Sequence, residues 1–281
     1  MSLSLPDAVI APVVCAALAE DLGERGDVTS QATIDETARF AAVFAARHEG
    51  RIAGLDCARL AIRELDPEAT FEIVTPDGAD AAPGAILARV EGNARALISA
   101  ERVALNLLGR LSGIATLTRA YVRAVEGTKA RITDTRKTTP NLRALEKYAV
   151  TCGGGVNHRM GLFDAVLIKD NHVAACGSVG EAVRRARALV GETMTVEIEI
   201  DGLHQLAEAL AEAPDVIMLD NFSLADMRTA VAEVAGRAVL EASGGVTLET
   251  VRPIAETGVD VISVGALTHS APVLDVGLDA A

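Results

Sequence analysis

The second half of the chain alternates short apolar runs with longer segments in which apolar residues recur at helical spacing. The runs end in polar residues and occupy 131–134, 165–169, 196–199, 216–220, 239–241 and 261–264. The last four runs begin about 20 to 23 residues apart. Alanine-rich segments between the later runs predict helices over 179–190, 203–212, 224–235 and 247–257. This alternation predicts a series of strand–helix units.

The predicted strands are continuously apolar, which is typical of a parallel sheet buried on both faces. Repetition of one unit without a reversal favours an α/β barrel over an open, doubly wound sheet, which remains the alternative. Six or seven strands can be counted where a complete barrel has eight. We therefore expect an α/β protein with an open, incomplete parallel barrel.

The first 110 residues have a different pattern. Strands are predicted at 39–46, 71–74 and 85–90, with turns at Glu49-Gly50 and Pro76-Asp77-Gly78. A helical segment is predicted before them, at the start of the chain. The two halves therefore differ in pattern, and a length of 281 residues favours about two domains.

A helix is predicted over 99–125, because leucine and isoleucine residues recur there at helical spacing. Gly109 and Gly113 interrupt this pattern. They either weaken the helix or let another backbone approach it closely.

The composition excludes several classes of protein. The 281 residues carry a formal net charge of −13, which argues against a general nucleic-acid binder and against docking on an anionic membrane face. Aromatic residues make up 2% of the chain, with no tryptophan, so we expect an aliphatic core and no stacking platform for single-stranded nucleic acid. We expect no secretory signal and no membrane-spanning helix, since no apolar run approaches about 18 residues.

The cysteines indicate a reducing compartment. Cys15, Cys57, Cys152 and Cys176 are far apart and form no CxxC pair. A disulfide framework or a zinc site is therefore not expected, and reduced thiols in the cytoplasm fit best.

A local excess of basic residues lies within this acidic chain. Segment 131–172 contains seven Lys or Arg residues and four Asp or Glu residues, a net charge of +3. Five basic residues of the segment are separated by glycines and are not spaced along a helix; they are Arg136, Lys137, His158, Arg159 and Lys169. Glycines let backbone N–H groups approach an anion, and arginine binds carboxylates through two hydrogen bonds. The segment predicts a pocket for a small polyanion, and a solvated charged face is the alternative.

Small and acidic residues end the later predicted strands, and the functional face of a parallel barrel lies at the carboxyl ends of its strands. Ser243-Gly244-Gly245 and Gly265-Ala266 predict a phosphate site, the alternative being tight turns that require glycine. Glu199 and Asp220 are candidates to bind a metal, to hold ribose hydroxyls or to stabilise a cation, and salt bridges to the basic segment are the alternative. Glu197 alternates with Glu199, so both should point to the same side of their strand.

Three further residues have open roles. His172 and His269 are candidates for acid–base groups, and an orienting or structural role is the alternative for each. Cys152 has no visible activating context, so we do not expect it to be a nucleophile.

These motifs resemble those of the quinolinate phosphoribosyltransferase family, also called nicotinate-nucleotide pyrophosphorylase (carboxylating). The resemblance runs from residue 20 to residue 270, nearly the whole chain. Its most specific part is Thr135-Arg136-Lys137-Thr138, within the matching stretch Asp134–Pro140, followed by Gly153-Gly154-Gly155 and Asn157-His158-Arg159 in that order. The other matching stretches are Glu20-Asp21-Leu22-Gly23, Gly26-Asp27-Val28-Thr29, Glu101-Arg102, Asn106-Leu107-Leu108, Lys169-Asp170-Asn171-His172, Glu197, Glu199, Leu219-Asp220-Asn221, Ser243-Gly244-Gly245 and Gly265-Ala266-Leu267-Thr268-His269-Ser270.

The resemblance implies transfer of phosphoribosyl from phosphoribosyl pyrophosphate to the ring nitrogen of quinolinate, with decarboxylation. The products would be nicotinate mononucleotide, pyrophosphate and carbon dioxide, in NAD biosynthesis, with Mg²⁺ as the cofactor. It also implies the type II phosphoribosyltransferase fold, with an N-terminal α/β domain expected over 1–110 and an open barrel over 111–269. The tail 270–281 is expected to pack back on the first domain. The family assembles as a homodimer or a hexamer whose shared site takes Arg102 from the neighbouring protomer.

The same resemblance implies roles for individual residues. The positions that match quinolinate-binding residues are Arg102, Arg136, Lys137, His158 and Arg159. The positions expected to bind phosphoribosyl pyrophosphate are Lys169, Glu199, Asp220, Ser243, Gly244, Gly245, Gly265 and His269. The expected catalytic groups are Lys137, Lys169, Glu199 and Asp220. Mg²⁺ is expected to bind mainly through the substrate, with Glu199 and Asp220 nearby.

Two other functions are compatible with the residues alone. Lys137 or Lys169 could supply the amine of a Schiff-base lyase or aldolase, since a lysine at a barrel strand end is the usual sign of that chemistry. A relative encoded in a transport operon could keep the fold and bind another anion, because a fold does not determine a function.

Overall fold

The computed structural model describes residues 4–281, which form two compact units. The first unit comprises the described residues up to 119, together with 138–154 and 267–281. The second unit comprises 120–137 and 155–266.

The helices of the described residues are, in chain order, α1 (Asp7–Leu22), α2 (Val28–Thr33), α3 (Leu55–Leu65), α4 (Ala94–Ala124), α5 (Arg143–Cys152), α6 (Asp170–Cys176), α7 (Val179–Val190), α8 (Leu206–Ala211), α9 (Leu224–Val234), α10 (Leu248–Ala255) and α11 (Ala266–His269). The strands are β1 (Arg39–Ala46), β2 (Gly50–Arg51), β3 (Thr70–Ile73), β4 (Asp80–Ala81), β5 (Ile86–Asn93), β6 (Arg131–Thr133), β7 (Val166–Ile168), β8 (Val196–Ile200), β9 (Val216–Asp220), β10 (Val239–Ser243), β11 (Val261–Ser263) and β12 (Val276–Ala280).

The first unit is built on an antiparallel sheet with the strand order β12-β1-β5-β3. The C-terminal strand β12 pairs with β1, so that Val276 lies opposite Ala46. The rings of Phe44 and Phe71 lie 5.7 Å apart, within a core that is otherwise mainly aliphatic. The aliphatic core follows from a composition with almost no aromatic residues.

Glycines in α4 mark a close approach by another part of the first unit. A Cβ on Gly109 would come within 2.8 Å of the Leu274 carbonyl oxygen, and a Cβ on Gly113 would come within 1.9 Å of the Pro272 carbonyl oxygen. Both glycines therefore lie where the 272–274 backbone crosses the helix, which is the second of the two roles expected for them.

The second unit contains a six-stranded parallel sheet with the order β6-β11-β10-β9-β8-β7. Each strand from β7 to β11 lies beside the next one in the chain, and β6 lies beside β11. This order is cyclic and has no reversal, unlike that of a doubly wound sheet. The predicted open, incomplete parallel α/β barrel is therefore confirmed, with its opening between β6 and β7.

The segment after α5 extends the barrel at this opening. Val156 forms a parallel bridge with Thr133 of β6, and its carbonyl oxygen accepts hydrogen bonds from Thr133 Oγ1 and the Asp134 N–H. The residues that follow Val156 are thereby placed beside the end of β6.

Local sequence signals account for the helices of the second unit. Ser178 and Ser223 accept hydrogen bonds from the first-turn N–H groups of α7 and α9, as N-cap residues do. Cys15, Cys57, Cys152 and Cys176 are free thiols, and within residues 4–281 no helix combines the length and apolarity that crossing a bilayer requires.

Candidate active site

The carboxyl ends of the parallel strands bring most of the predicted site residues to one edge of the second unit. The residues at or just beyond these ends are Arg136, Lys137, Lys169, Glu199, Asp220, Ser243, Gly244, Gly245 and Gly265. His158 and Arg159 follow the Val156 bridge beside β6. Residues that are far apart in sequence therefore share the edge at which parallel barrels carry their active sites.

Two arginines form the basic part of this edge. Arg136 and Arg159 are partly buried, and the Nε atom of each is buried without a hydrogen-bond partner in the described structure. Burial and the nearby charge of Arg136 lower the pKa of Arg159, while the charges of Glu197 and Asp164 act in the opposite direction. Two neighbouring, partly buried cations whose Nε donors lack partners are complementary to an anion.

Lys169 and Glu199 form an ion pair across neighbouring strands. Lys169 Nζ lies 2.8 Å from Glu199 Oε2, and both residues stand at the carboxyl ends of β7 and β8. His172 Nδ1 accepts the Lys169 N–H at 2.9 Å, so this histidine orients the start of α6. The orienting role is thus the one that the geometry of His172 supports.

The ends of β9 and β10 are joined tightly. The Asn221 N–H donates to the Ser243 carbonyl oxygen at 2.9 Å, and Asn221 Nδ2 donates to Asp220 Oδ2 at 2.9 Å. Gly244 has φ of +98° and Gly245 has φ of +58°, conformations that favour glycine. The glycine pair therefore exposes a short stretch of backbone at the strand end.

A buried polar cluster lies within the second unit. His158 Nε2 is 3.0 Å from Glu197 Oε2 and 3.5 Å from Glu241 Oε2, and the three side chains are 13%, 4% and 4% exposed. The Asp134 carboxylate accepts a hydrogen bond from the backbone N–H of His158 at 3.0 Å. Burial, and next the charge of Glu197, raise the pKa of Glu241 to about 7.

Glu241 and Asp134 have no individual role predicted from the sequence. The signal available in the sequence was a charged residue, Glu241, within a short apolar run. In the structure this residue lies in β10 (Val239–Ser243) and is 3% exposed. Burying a carboxylate is costly unless a cation or a hydrogen-bond donor is paired with it, so a buried carboxylate usually has a specific function.

Two predicted site residues belong to the first unit. Arg102 lies on α4 with its side chain 64% exposed, 3.8 Å from Glu101. His269 lies on α11, and its Nδ1 is 2.6 Å from the Ser270 hydroxyl. All the other predicted site residues belong to the second unit.

Comparison with known proteins identifies relatives along nearly the whole chain. The family model for the N-terminal domain of quinolinate phosphoribosyl transferase matches residues 27–112, and the model for its C-terminal domain matches residues 114–279. A nicotinate-nucleotide pyrophosphorylase (carboxylating) from Mycobacterium leprae is 50% identical over 268 residues, covering 94% of each chain. A quinolinate phosphoribosyltransferase (decarboxylating) from Nicotiana glauca is 43% identical, covering 95% of this chain and 81% of that relative.

Solved structures share the fold. The nicotinate-nucleotide pyrophosphorylase from Francisella tularensis superposes with a TM-score of 0.95 at 38% identity, covering 99% of this chain and 98% of the other. Similarity at this level extends over both units of the present chain.

Proposed function

Because the chain belongs to the quinolinate phosphoribosyltransferase family, we propose that it transfers phosphoribosyl from phosphoribosyl pyrophosphate to the ring nitrogen of quinolinate. Decarboxylation accompanies the transfer, and the products are nicotinate mononucleotide, pyrophosphate and carbon dioxide. The protein is thus a pentosyltransferase of NAD biosynthesis. The observation that carries this proposal is the pair of buried, unpaired Nε atoms of Arg136 and Arg159.

The arginine pair suits a dianion such as quinolinate. Each guanidinium can donate two parallel hydrogen bonds to a carboxylate, and a hydrogen bond to a charged group contributes about 1.5–3 kcal/mol net. A bound dianion would also relieve the repulsion between Arg136 and Arg159 that lowers the pKa of Arg159. Lys137, His158 and the neighbouring protomer's Arg102 complete the proposed quinolinate site.

The glycine-bearing strand ends suit a phosphate. Ser243, Gly244, Gly245 and Gly265 stand at the carboxyl edge of the parallel sheet, where phosphate sites of barrels commonly lie. Positive φ at Gly244 and Gly245 lets the backbone approach a phosphate without side-chain obstruction. We assign these residues, together with His269, to the 5-phosphate side of phosphoribosyl pyrophosphate.

The carboxylates at the strand ends suit the transferring ribose. Glu199 and Asp220 hold its hydroxyls and place negative charge near the oxocarbenium-like transition state, a preorganised electrostatic effect. Lys169, already paired with Glu199 at 2.8 Å, is available to a phosphate or carboxylate of the substrates. These groups accelerate the transfer by position and charge, without a covalent intermediate.

Mg²⁺ fits this donor set. Asp220 and Glu199 offer hard oxygen atoms on partly exposed side chains, and Mg²⁺ keeps several waters while binding substrate phosphates. The ion would be held chiefly by phosphoribosyl pyrophosphate, with Glu199 and Asp220 beside it, and would neutralise the departing pyrophosphate. The chain's own residues then bind and orient the two substrates.

The proposed assembly is a homodimer, or a hexamer built from it, in which each site takes Arg102 from the neighbouring protomer. Arg102 is 64% exposed in the single chain, which leaves its guanidinium available to a second one. We place the enzyme in the cytoplasm, consistent with four free thiols. Neither nucleic acid nor membrane is a proposed partner.

The deciding experiment measures release of carbon dioxide and pyrophosphate by the purified protein, with quinolinate and with nicotinate in parallel. We expect release with quinolinate that depends on phosphoribosyl pyrophosphate and Mg²⁺. Arg136→Ala and Lys169→Ala should lose at least about 100-fold in kcat/KM while keeping the wild-type circular dichroism spectrum. Equal turnover of nicotinate would remove the quinolinate assignment, and full turnover in both variants would remove the site assignment. Borohydride trapping of a substrate adduct would favour a Schiff-base lyase.

A further inference from the structure

The ring of His158 is held from both sides by the protein. Its Nδ1 accepts the Arg159 backbone N–H at 2.7 Å, and its Nε2 faces the carboxylates of Glu197 and Glu241 at 3.0 and 3.5 Å. A neutral imidazole has one donor nitrogen and one acceptor nitrogen. Because Nδ1 accepts, Nε2 carries the proton and donates it toward the carboxylates.

This arrangement argues against a metal ion at the same place. His158, Glu197 and Glu241 bring ligand-type atoms within 4.8 Å of one another, a spacing that a metal could use. A protonated Nε2, however, has no lone pair to give to a cation. The geometry therefore favours a hydrogen-bonded cluster over a metal centre.

The two carboxylates come from strands on either side of β9. Glu197 stands on β8 and Glu241 on β10, and each side chain is 4% exposed. In each carboxylate the Oε1 atom is buried without a hydrogen-bond partner in the part of the chain described. Burying two carboxylates with incomplete hydrogen bonding is unfavourable for stability, which indicates a functional reason for keeping them.

The groups that these carboxylates contact belong to the anion site. Glu197 interacts with His158 directly, and its charge favours the charged form of Arg159, opposing the effect of Arg136. His158 and Arg159 are consecutive residues, joined again by the hydrogen bond to Nδ1. A continuous set of contacts thus runs from the two buried carboxylates through the histidine ring to the arginine backbone.

We propose that Glu197 and Glu241 are positioning residues for quinolinate recognition: they hold the His158 ring, the ring holds the Arg159 backbone, and the Arg159 guanidinium is thereby presented to a substrate carboxylate. This inference rests on the proposed function. Neither carboxylate contacts the substrate, since both act through His158.

The test uses isothermal titration of the full-length protein with quinolinate and, separately, with phosphoribosyl pyrophosphate and Mg²⁺. Glu197→Met removes the acceptor at similar side-chain length, Glu197→Gln keeps an acceptor oxygen, and the exposed Glu233→Gln is the matched control. We expect Glu197→Met to raise the Kd of quinolinate about tenfold, the effect of losing one hydrogen bond to a charged group. The Kd of phosphoribosyl pyrophosphate should stay within about twofold, and Glu197→Gln should recover most of the quinolinate affinity.

A double-mutant cycle tests whether Glu197 acts through His158. In a His158→Phe background, Glu197→Met should have no further effect on quinolinate affinity, because the contact that it disturbs is already absent. Additive losses, an unchanged quinolinate Kd in Glu197→Met, or equal losses for both ligands would overturn the inference. Wild-type protein that fails to bind quinolinate would instead overturn the proposed function, and the inference with it.

A second measurement covers the case in which Glu197→Met does not fold. In wild-type protein labelled with ¹⁵N-histidine, assigned by comparison with His158→Phe, the ring nitrogens of His158 should show a protonated Nε2 and an unprotonated Nδ1. Glu241→Gln, which keeps the shape of the side chain, should perturb these two resonances and leave those of His204 in place. A doubly protonated ring in the wild type, or resonances that Glu241→Gln does not move, would contradict the positioning role.

Discussion

Gly244 lies so close to Asn221 that a Cβ atom on the glycine would come within 2.1 Å of Asn221 Oδ1. The two residues follow neighbouring strands, and the Asn221 N–H is bonded to the Ser243 carbonyl oxygen, so neither backbone can retreat easily. Gly244 also has a φ of +98°, which an L side chain rarely adopts. Two independent constraints therefore require glycine at this strand end.

Gly244→Ala should disturb the proposed phosphate site more than Gly245→Ala. Both substitutions place an alanine at positive φ, which costs about 1–2 kcal/mol, but only Gly244 also meets a neighbouring side chain, since nothing lies within 4 Å of a Cβ on Gly245. We expect the KM of phosphoribosyl pyrophosphate to rise more than about tenfold in Gly244→Ala and only a few-fold in Gly245→Ala. Steady-state kinetics on both variants checks this, and equal KM values would show that the close contact does not matter.

Glu146→Ala should destabilise the protein strongly. The Glu146 side chain is fully buried and is bound by Arg110 at 2.9 Å, by the Thr139 N–H at 3.0 Å and by the Thr139 hydroxyl at 2.8 Å. Removing it leaves a partly buried guanidinium without its counter-charge, which costs about 3–5 kcal/mol.

Urea unfolding measures this loss, and Glu91→Ala is the control. Glu91 pairs with Arg39 at 3.2 Å, but both side chains are more than half exposed, and exposed pairs contribute little to stability. If both variants lost the same free energy of unfolding, burial would not be the reason that the Arg110–Glu146 ion pair stabilises the protein.

Asp77→Ala should loosen the start of α3. The partly buried Asp77 carboxylate accepts the N–H groups of Gly54 and Leu55 at 2.8 and 3.2 Å and the Tyr148 hydroxyl at 2.7 Å. Burial raises its pKa against these hydrogen bonds, so the charge is retained at a cost. We expect a loss of about 1–3 kcal/mol by urea unfolding, the cost of leaving buried donors unpaired.

Tyr148→Phe separates the contributions to that loss. It removes one donor but keeps both N–H groups bonded, so it should cost clearly less than Asp77→Ala. The opposite order would indicate that the hydroxyl, not the helix start, depends on Asp77.

Glu241→Gln should become increasingly stabilising as the pH rises. Burial, and next the charge of Glu197, raise the pKa of Glu241 from 4.5 to about 7 in the folded protein. The folded state therefore binds this proton more tightly than the unfolded state, so the associated stability is complete below pH 4.5 and is lost as the pH rises through about 7. Each unit of pKa shift corresponds to about 1.4 kcal/mol.

Urea unfolding of wild type and Glu241→Gln at pH 5 and pH 8 checks this sign. The difference in the free energy of unfolding should move in favour of Glu241→Gln by a few kcal/mol between the two pH values. A constant difference would show that Glu241 titrates near the same pH in both states.

Local pattern predicted the elements of the second unit closely. The apolar runs at 196–199, 216–220 and 261–264 became β8, β9 and β11, and the helix predicted over 179–190 has those bounds in the structure. Such elements follow from the hydrophobic period of a few neighbouring residues, which needs no knowledge of distant contacts. The position of the candidate site at the strand ends followed in the same way, because parallel strands share one edge.

Contacts between residues far apart in sequence required the tertiary structure. In sequence, Glu241 is one charge in an apolar run, and only the strand order places it with Glu197 and His158 around a single ring nitrogen. The return of 272–274 across Gly113 and the pairing of β12 with β1 are likewise contacts over more than 150 residues. By itself, then, the sequence determined most of the strands and helices of the second unit, the barrel class, the family and the edge at which the candidate site residues gather. Which buried charges meet there was decided by tertiary structure, because burial and Coulomb interactions depend on distance in space.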